Sequence, residues 1–356
     1  MDNLKGYDIS PAQAHFMFQS FSFIIFKDFP EGIEVGIDYK SFITGPKFMG
    51  FKMIPPGLHF VYISYKNSPR VGFFYRFSEK EILMKKWDKL KEDFVDCILT
   101  EEEKDRIKAN IKNIDKNLGV YPFDEIKNWI SLSNYITKDI MSKINPLCGR
   151  ITSQQTFITE EDRINKDNKV VDRENRTRLR FGDEEGLPIF NIMEDEKINF
   201  TEIPKVTLEN IDKRELIDNS MLLEKLLENY GKNSIEKLLG EFQYSFVVFL
   251  IGQVYEGFEQ WKRFLHLLCS VKSSLNKQLS LYEKFFMILY YQITTCPDDF
   301  FNSVIEQNNF IRWTLRLLFA NIEDNDSLPE SFKAKSVKCR RLFEKKFSCS
   351  FDLPNE

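Results

Sequence analysis

The stretch from residue 33 to 77 most constrains the fold, because short apolar segments alternate in it with turn-forming residues. Its breaks include Gly45-Pro46, Pro55-Pro56-Gly57 and Ser68-Pro69, and prolines and glycines at such breaks favour tight turns between strands. Between two of them lies HFVYISY (residues 59–65), which is rich in β-branched and aromatic residues. The stretch predicts an all-β region with a Pro-Pro-Gly loop, and it contains no catalytic motif.

The segments on either side predict further strands. FSFIIF (residues 21–26) is an apolar run of strand length. Residues 78–97 are ambiguous, because Ser78 followed by Glu81 resembles a capping box that begins a helix. We favour a strand through about Trp87, since it would continue the meander of the preceding strands.

Two amphipathic helices follow the β-region. Thr100 and Glu103 form a capping-box pattern, and the isoleucines behind it recur at helical spacing until Gly119. A second apolar stripe runs over residues 126–144 and stops before Pro146. Both helices are predicted to pack on an open face of the sheet.

The composition changes after Pro146. Residues 147–202 are highly charged, contain few aromatic residues and show no sustained period, which predicts a flexible linker. A group of arginines within it is a candidate contact for RNA phosphates, but neighbouring aspartates and glutamates cancel most of their field, so a solvated linker is favoured. These arginines are Arg173, Arg176, Arg178 and Arg180.

The rest of the chain is predicted to be helical. Residues 203–322 contain successive apolar helices joined by short loops, as in a bundle or a helical solenoid. Residues 246–251 are apolar on all sides, which predicts a central buried helix. Residues 323–356 are predicted to form a basic amphipathic helix and a short tail, which either adds as a strand to a partner's sheet or is a frayed terminus. The predicted segments are therefore 1–146, 147–202, 203–322 and 323–356.

Composition and motifs exclude several functional classes. With 50 basic and 54 acidic residues the net charge is −4, which argues against a chain built as a whole to bind polyanions. No apolar run is long enough to span a membrane, and no secretory signal is visible. The six cysteines have no zinc-site spacing, which favours reduced thiols in the cytosol or nucleus.

Catalytic signatures are also missing from the sequence. His15, His59 and His266 are far apart, and no phosphate-binding loop or nucleophile elbow occurs. We therefore predict no catalytic, metal or cofactor site. The alternative is an enzyme whose site lies at the interface between the domains and combines residues distant in sequence, with His59 and Asp38 as candidates.

Four ordered blocks carry a family resemblance. Residues 36–64 (GIDYKSFITGPKFMGFKMIPPGLHFVYIS) with VGFFYRF resemble the N-terminal signature of the AAR-two family of splicing factors. WISLSNYI (129–136), INFTEIPK (198–205) and GEFQYSFVVFLIGQVYEGFEQWKRFLHLLC (240–269) are similar to later blocks of that family. The blocks occur in the same order as in the family, and the resemblance covers most of the chain, with residues 147–197 as its divergent part.

The resemblance implies a two-domain α+β fold, with an antiparallel β-sandwich-like N-terminal domain carrying packed helices and an all-α VHS-like C-terminal domain. It implies a non-enzymatic assembly factor of the U-five small nuclear ribonucleoprotein, in the cytoplasm and nucleus. The implied partner is the large central spliceosomal protein, pre-mRNA-processing factor eight. The resemblance implies that the chain binds the RNase H-like and Jab/MPN-like domains of this partner and thereby delays the joining of an RNA helicase to the particle.

The resemblance also implies candidate site residues. The family's tail makes strand-like contacts with the partner, and the corresponding positions are Phe347, Phe351 and Leu353. Release by phosphorylation suggests Ser273 and Ser274 as modification sites. The alternative function is an RNA-binding adaptor that uses the linker arginines and the basic helix of residues 333–346, with weak, salt-sensitive binding.

Overall fold

The computed structural model describes residues 10–66, 68–97, 99–154, 157–159, 190–203, 218–297 and 310–351. Within these ranges, two facing five-stranded sheets form the N-terminal region, and helices form the C-terminal region. The predicted order of a β-rich region followed by a helical one is confirmed.

The first sheet mixes parallel and antiparallel strands. Its strands, in spatial order, are β8 (Asp93–Asp96), β7 (Ile82–Asp88), β1 (Ser22–Lys27), β4 (Gly50–Ile54) and β9 (Leu118–Val120). β1 pairs parallel with β7, and β4 pairs parallel with β9. The prediction of an antiparallel sandwich is therefore wrong for this sheet. After β1 the chain enters the second sheet twice, through β2 and β3 before β4 and through β5 and β6 after it, and then reaches β7, which runs in the same direction as β1.

The second sheet is antiparallel and is covered on both faces. Its strands, in spatial order, are β10 (Ile151–Thr152), β6 (Val71–Phe77), β5 (Gly57–Ser64), β2 (Glu34–Ile37) and β3 (Lys40–Ile43). On β5, Val61 and Ile63 belong to the core shared with the first sheet, whereas Phe60 and Tyr62 belong to the core shared with the helices. This double burial explains why residues 59–65 are apolar without clear alternation.

Residues 82–88 form a strand, as predicted, but in the first sheet. Instead of continuing the meander after β6, β7 crosses to lie beside β1. The Ser78–Glu81 pattern does not begin a helix, although the Ser78 N–H does donate to Glu81 Oε2 at 2.7 Å. The side chain caps a tight turn before the strand.

The helices of the N-terminal region are α1 (Pro11–Ser20), α2 (Glu101–Ile114), α3 (Ile126–Ser133) and α4 (Lys138–Ile144). α2 begins with the predicted reciprocal capping box of Thr100 and Glu103, and its Ile111 packs with Phe23 of the first sheet. The second predicted helix is divided into α3 and α4, because Thr137 caps a new helix by accepting the Ile140 N–H.

The helices of the C-terminal region are α5 (Ser220–Tyr230), α6 (Ser234–Leu250), α7 (Tyr255–Cys269), α8 (Leu279–Thr295), α9 (Phe310–Glu323) and α10 (Glu330–Phe347). Every residue from 238 to 248 of α6 is buried. The prediction of a central buried helix is confirmed, since α6 contacts α5, α7 and α8 as well as α3 and α4.

The range predicted as a linker is described only at its two ends. β10 adds an edge strand to the second sheet, and β11 (Phe157–Thr159) pairs with β12 (Phe190–Ile192). Ile198, 4% exposed, packs in the core of the helical region. Residues 160–189 lie outside the described residues, and the boundaries of the four segments stay predictions.

Candidate functional site

His59 and Asp38 lie side by side in the interior, although 21 positions separate them. Asp38 occupies the turn between β2 and β3 with a φ of 57°, and His59 lies on β5. His59 Nδ1 is 2.7 Å from Asp38 Oδ2, and Nε2 is 2.8 Å from the Pro55 carbonyl oxygen. The same carboxylate accepts the Tyr121 hydroxyl at 2.6 Å and the Phe60 N–H at 2.9 Å.

This network is a structural tie rather than an open reaction centre. Both ring nitrogens of His59 lie within hydrogen-bond distance of an oxygen atom, so the ring is held from both sides. The side chains of His59 and Asp38 are 3% and 1% exposed, so a substrate has no access to them. Burial, followed by the charge of Asp38, raises the pKa of Tyr121 and keeps its hydroxyl a donor. The network fastens the Pro-Pro-Gly loop to the sheet and to the segment before α3.

Gly240 and Gln243 of α6 bring the helical region against α3. A Cβ at Gly240 would lie 2.2 Å from the Tyr135 carbonyl oxygen, so only glycine permits this approach. Gln243 is fully buried, and its Oε1 accepts the Tyr135 N–H at 2.8 Å. Its Nε2 donates to the Ser131 carbonyl oxygen at 2.9 Å and to Asn134 Oδ1 at 2.7 Å. One side chain thereby satisfies the C-terminal end of α3.

Glu241 performs the same function for the segment that leads into the helical region. Its carboxylate, 1% exposed, accepts the Thr201 N–H at 2.6 Å, the Thr201 hydroxyl at 2.7 Å and the Tyr230 hydroxyl at 2.6 Å. Burial and then the charge of Glu241 raise the pKa of Tyr230, which keeps that hydroxyl protonated. Gln260 of α7 adds a bond of 2.8 Å to the Thr201 carbonyl oxygen. These buried polar residues were not singled out from the sequence.

The described part of the predicted tail is packed onto α9 and α10. Phe351 is 2% exposed, and its ring centroid is 5.8 Å from that of Phe319. Its N–H donates to Glu344 Oε1 at 3.1 Å, and Phe347 packs half-buried on the same core. Leu353 lies outside the described residues. For Phe351 to meet a partner, this packing would have to open.

Ser273 and Ser274 lie in the loop after α7, beside Asp218. Asp218 accepts the backbone N–H groups of Lys272 at 2.9 Å and Ser273 at 3.0 Å. Although partial burial raises the pKa of Asp218, bonds from Ser220, Ser273 and the backbone hold it well below its usual range. Ser273 is exposed, whereas Ser274 is 1% exposed and donates its N–H to Ser220 Oγ.

The basic helix α10 uses several of its cations to dock on its neighbours. Lys335 pairs with a glutamate of α8 at 3.1 Å, and Arg340 pairs with glutamates of α9 and α10. Lys346 donates to the carbonyl oxygens of Thr294 and Cys296 at 2.7 and 2.8 Å. The four linker arginines lie outside the described residues. The exposed basic residues of the second half of α10 are Lys338, Arg341 and Lys345.

Two further properties bear on function. Within the described ranges, no helix has the length and apolar character needed to cross a membrane. The same ranges contain no group of three or more histidine, cysteine, aspartate or glutamate side chains placed to hold a metal ion.

Comparisons with known proteins agree with the order of the two regions. The model for the AAR2 N-terminal domain matches residues 20–146, and the model for the AAR2 C-terminal repeat region matches residues 200–352. A protein of Caenorhabditis elegans named AAR2 homolog is 40% identical over 357 residues, covering 98% of this chain and 99% of the relative. The mouse AAR2 homolog is 32% identical over 370 residues, covering 98% and 94%.

A more distant relative is found in Saccharomyces cerevisiae. The yeast protein, named A1 cistron-splicing factor AAR2, is 24% identical over 311 residues, or 79% of each chain. The two family models together span most of the sequence, and the nematode relative aligns along nearly its whole length. The chain therefore belongs to the AAR2 family.

Proposed function

We propose that this chain is a splicing factor that acts as a non-enzymatic assembly chaperone of the U-five small nuclear ribonucleoprotein. In this proposal it binds the RNase H-like and Jab/MPN-like domains of pre-mRNA-processing factor eight and delays the joining of the helicase, in the cytoplasm and nucleus. The observation that carries the proposal is the similarity to AAR2 proteins over 98% of the chain, together with the name of the yeast relative as a splicing factor.

The buried polar contacts of α6 support a scaffold that engages two partner domains. Gln243 joins α6 to α3, and Glu241 joins it to the Thr201 segment, so sheet and helix surfaces are held in one arrangement. A surface held in one arrangement loses less conformational entropy when a partner binds. We propose further that the helices α5–α10 form a VHS-like superhelix.

Two packed helices supply a candidate contact face for the partner. α3 of the N-terminal region packs along α8 of the C-terminal region, and each exposes a large apolar side chain. Ile130 of α3 is 53% exposed, and Met287 of α8 is 62% exposed. A partner that covers both would contact the two regions at once. The Ile130→Asp and Met287→Asp variants place a charge there with little effect on the fold, because both side chains are already largely in water.

A competition assay tests the proposal. The partner fragment spanning the RNase H-like and Jab/MPN-like domains is immobilised, and the helicase is offered with and without an excess of this chain. We expect the chain to be retained and the captured helicase to fall, because chaperone and helicase exclude each other. The Leu147→Asp variant is the matched control, since Leu147 is also exposed, at 83%, but lies on neither helix.

The outcomes distinguish binding of the chain to the partner fragment from its effect on helicase capture. Retention of the chain with unchanged helicase capture refutes the delay, and no retention refutes the partner. If Ile130→Asp and Met287→Asp bind as well as Leu147→Asp, the partner does not use the α3–α8 face.

Direct RNA binding is the weaker candidate. Several cations of α10 are engaged in docking, which leaves Lys338, Arg341 and Lys345 as an exposed basic group. Contact with a few phosphates gives binding that weakens steeply between about 50 and 200 mM salt. RNA binding that survives such salt would favour the adaptor over the chaperone.

A further inference from the structure

A groove runs across one end of the first sheet. It consists of two adjoining hollows, of about 450 and 720 Å³, that share Asp28 and Phe29 as lining residues. Phe48 lines the first hollow, and Pro30 and Trp87 line the second. We call this feature the lysine-rimmed groove, for the reason given below.

The floor of the groove is rigid and aromatic. β1 ends at Lys27, and Asp28 adopts the left-handed conformation with a φ of 57°, a region that aspartate tolerates better than most residues. The turn directs Phe29 back over the sheet, where its ring stacks on Phe26 at 5.1 Å and on Phe94 at 5.5 Å between centroids. Phe29 remains half-buried, so part of it stays available between the two hollows.

Four lysines line the groove: Lys27, Lys47, Lys86 and Lys89. All four are exposed, and none forms an ion pair within the part of the chain that the structure describes. Lys27 and Lys86 are register partners in the parallel pair of β1 and β7. Like charges at such neighbouring positions destabilise a sheet, so this pair is unfavourable for the fold by itself.

The negative charges of the groove do not cancel these lysines. Asp28 and Asp88 are the two acidic lining residues, against four lysines. Asp88 is already engaged as a turn acceptor, because its Oδ1 receives the N–H groups of Leu90 at 2.9 Å and Lys91 at 3.2 Å. The groove is therefore locally positive on a chain of net charge −4.

We propose that the lysine-rimmed groove binds an extended acidic peptide that places one aromatic or long aliphatic side chain between the two hollows. The lysines attract the carboxylates of the peptide, while Phe29, Phe48 and Trp87 provide an apolar seat. This contact lies beyond the partner-binding role proposed above and requires no spliceosomal protein.

A peptide fits the groove better than RNA. The ring centroids of four other aromatic residues lie within 6.2 Å of that of Phe29, which leaves little of the Phe29 ring open for stacking a base. Asp28 and Asp88 also line the groove, and a phosphate backbone has no hydrogen-bond donor to offer them. A peptide carries backbone N–H groups that those carboxylates accept.

Fluorescence anisotropy with the full-length chain tests the proposal. The probe is a fluorescein-labelled peptide of sequence DEDLFDEDE, compared with the same peptide with serine for Leu and Phe, and with a labelled oligouridine. We expect saturable binding of the first probe that weakens as salt rises, because exposed charges are screened. Charge reversal in Lys27→Glu/Lys86→Glu should weaken binding at least about tenfold. The control Lys127→Glu/Lys138→Glu reverses two exposed lysines outside the groove and should leave binding unchanged.

A single substitution separates binding from folding. Lys27→Glu places opposite charges in register with Lys86, which offsets the loss of the cation near Glu103, so it should leave the melting temperature nearly unchanged while it weakens peptide binding. The proposal is overturned if the peptide does not bind, if the serine peptide or oligouridine binds equally well, or if the groove variants lose no more affinity than the control. The proposal is also overturned if Lys27→Glu binds the peptide as tightly as the unsubstituted chain under conditions in which both are fully folded.

Discussion

Replacing Gln243 by alanine should destabilise the whole chain, because this side chain makes three hydrogen bonds to the end of α3. The Tyr135 N–H and the Ser131 carbonyl oxygen would lose their partner in a half-buried place, at about 1–3 kcal/mol each. The exposed Asn134 side chain would turn to water at little cost. Lost packing adds about 1 kcal/mol, and the helix propensity of alanine returns about 0.4 kcal/mol. We expect the free energy of unfolding to fall by about 3 kcal/mol.

Urea unfolding followed by tryptophan fluorescence measures this loss. Trp129 lies on α3 and Trp261 on α7, so variants that keep only one of these two, with Trp87 and Trp313 replaced by phenylalanine, report on either side of the contact. Gln260→Ala is the matched control, since Gln260 is also buried in a helix but its described bond is a single one to Thr201. By the same accounting with one orphaned group instead of two, that variant should lose about 2 kcal/mol. A loss for Gln243→Ala no larger than that of the control would refute the reasoning.

Three further outcomes follow from buried or strongly bonded groups. Asp38→Asn leaves the His59 ring facing an amide instead of a carboxylate, and it should lower the free energy of unfolding by about 3–5 kcal/mol in a urea titration. Asp124→Asn, in an exposed ion pair, should cost under about 1 kcal/mol. Phe351→Ala should cost about 3 kcal/mol and make the C-terminus more sensitive to proteases, because the ring leaves the core. Asp218→Asn should reduce the loss of stability that occurs as the pH falls below about 5. The pKa of Asp218 is lower in the folded chain than in the unfolded chain, so its carboxylate stabilises the fold at a pH above the unfolded-state pKa, and this stabilisation is lost as the pH falls toward the folded-state pKa.

Each of these expectations has a contrary result. Equal losses for Asp38→Asn and Asp124→Asn would mean that the buried network does not hold the sheet. Unchanged proteolysis for Phe351→Ala would mean that the ring does not fasten the tail. If the free energy of unfolding of Asp218→Asn falls with pH as steeply as that of the unsubstituted chain below about pH 5, the hydrogen bonds of this carboxylate have no net effect on stability.

Local patterns in the sequence predicted local structure well. The capping box of Thr100 and Glu103 forms as expected, because it needs only residues three positions apart. The central helix α6 was evident from an apolar run that leaves no face for water. Strand β7 was also predicted, but its parallel pairing with β1 was not. The two strands lie some 59 residues apart in the sequence, and the residue pattern within one strand does not indicate which distant strand it pairs with.

The polar groups that organise the fold were harder to predict. Glu241 and Gln243 resemble solvent-facing helix residues in the sequence, and only their distant partners at Thr201 and Tyr135 make them buried contacts. The pairing of Lys27 with Lys86 is equally non-local. Conversely, Phe351 was expected to reach a partner, and the structure places it in the chain's own core.

The most direct test of the proposed function is an isothermal titration of the full chain into the purified partner fragment that contains the RNase H-like and Jab/MPN-like domains. The account predicts a one-to-one complex with a dissociation constant of about 1 µM or below, as expected for a specific interface that spans two domains. The absence of heat and of a co-migrating complex at about 50 µM of each protein would contradict it.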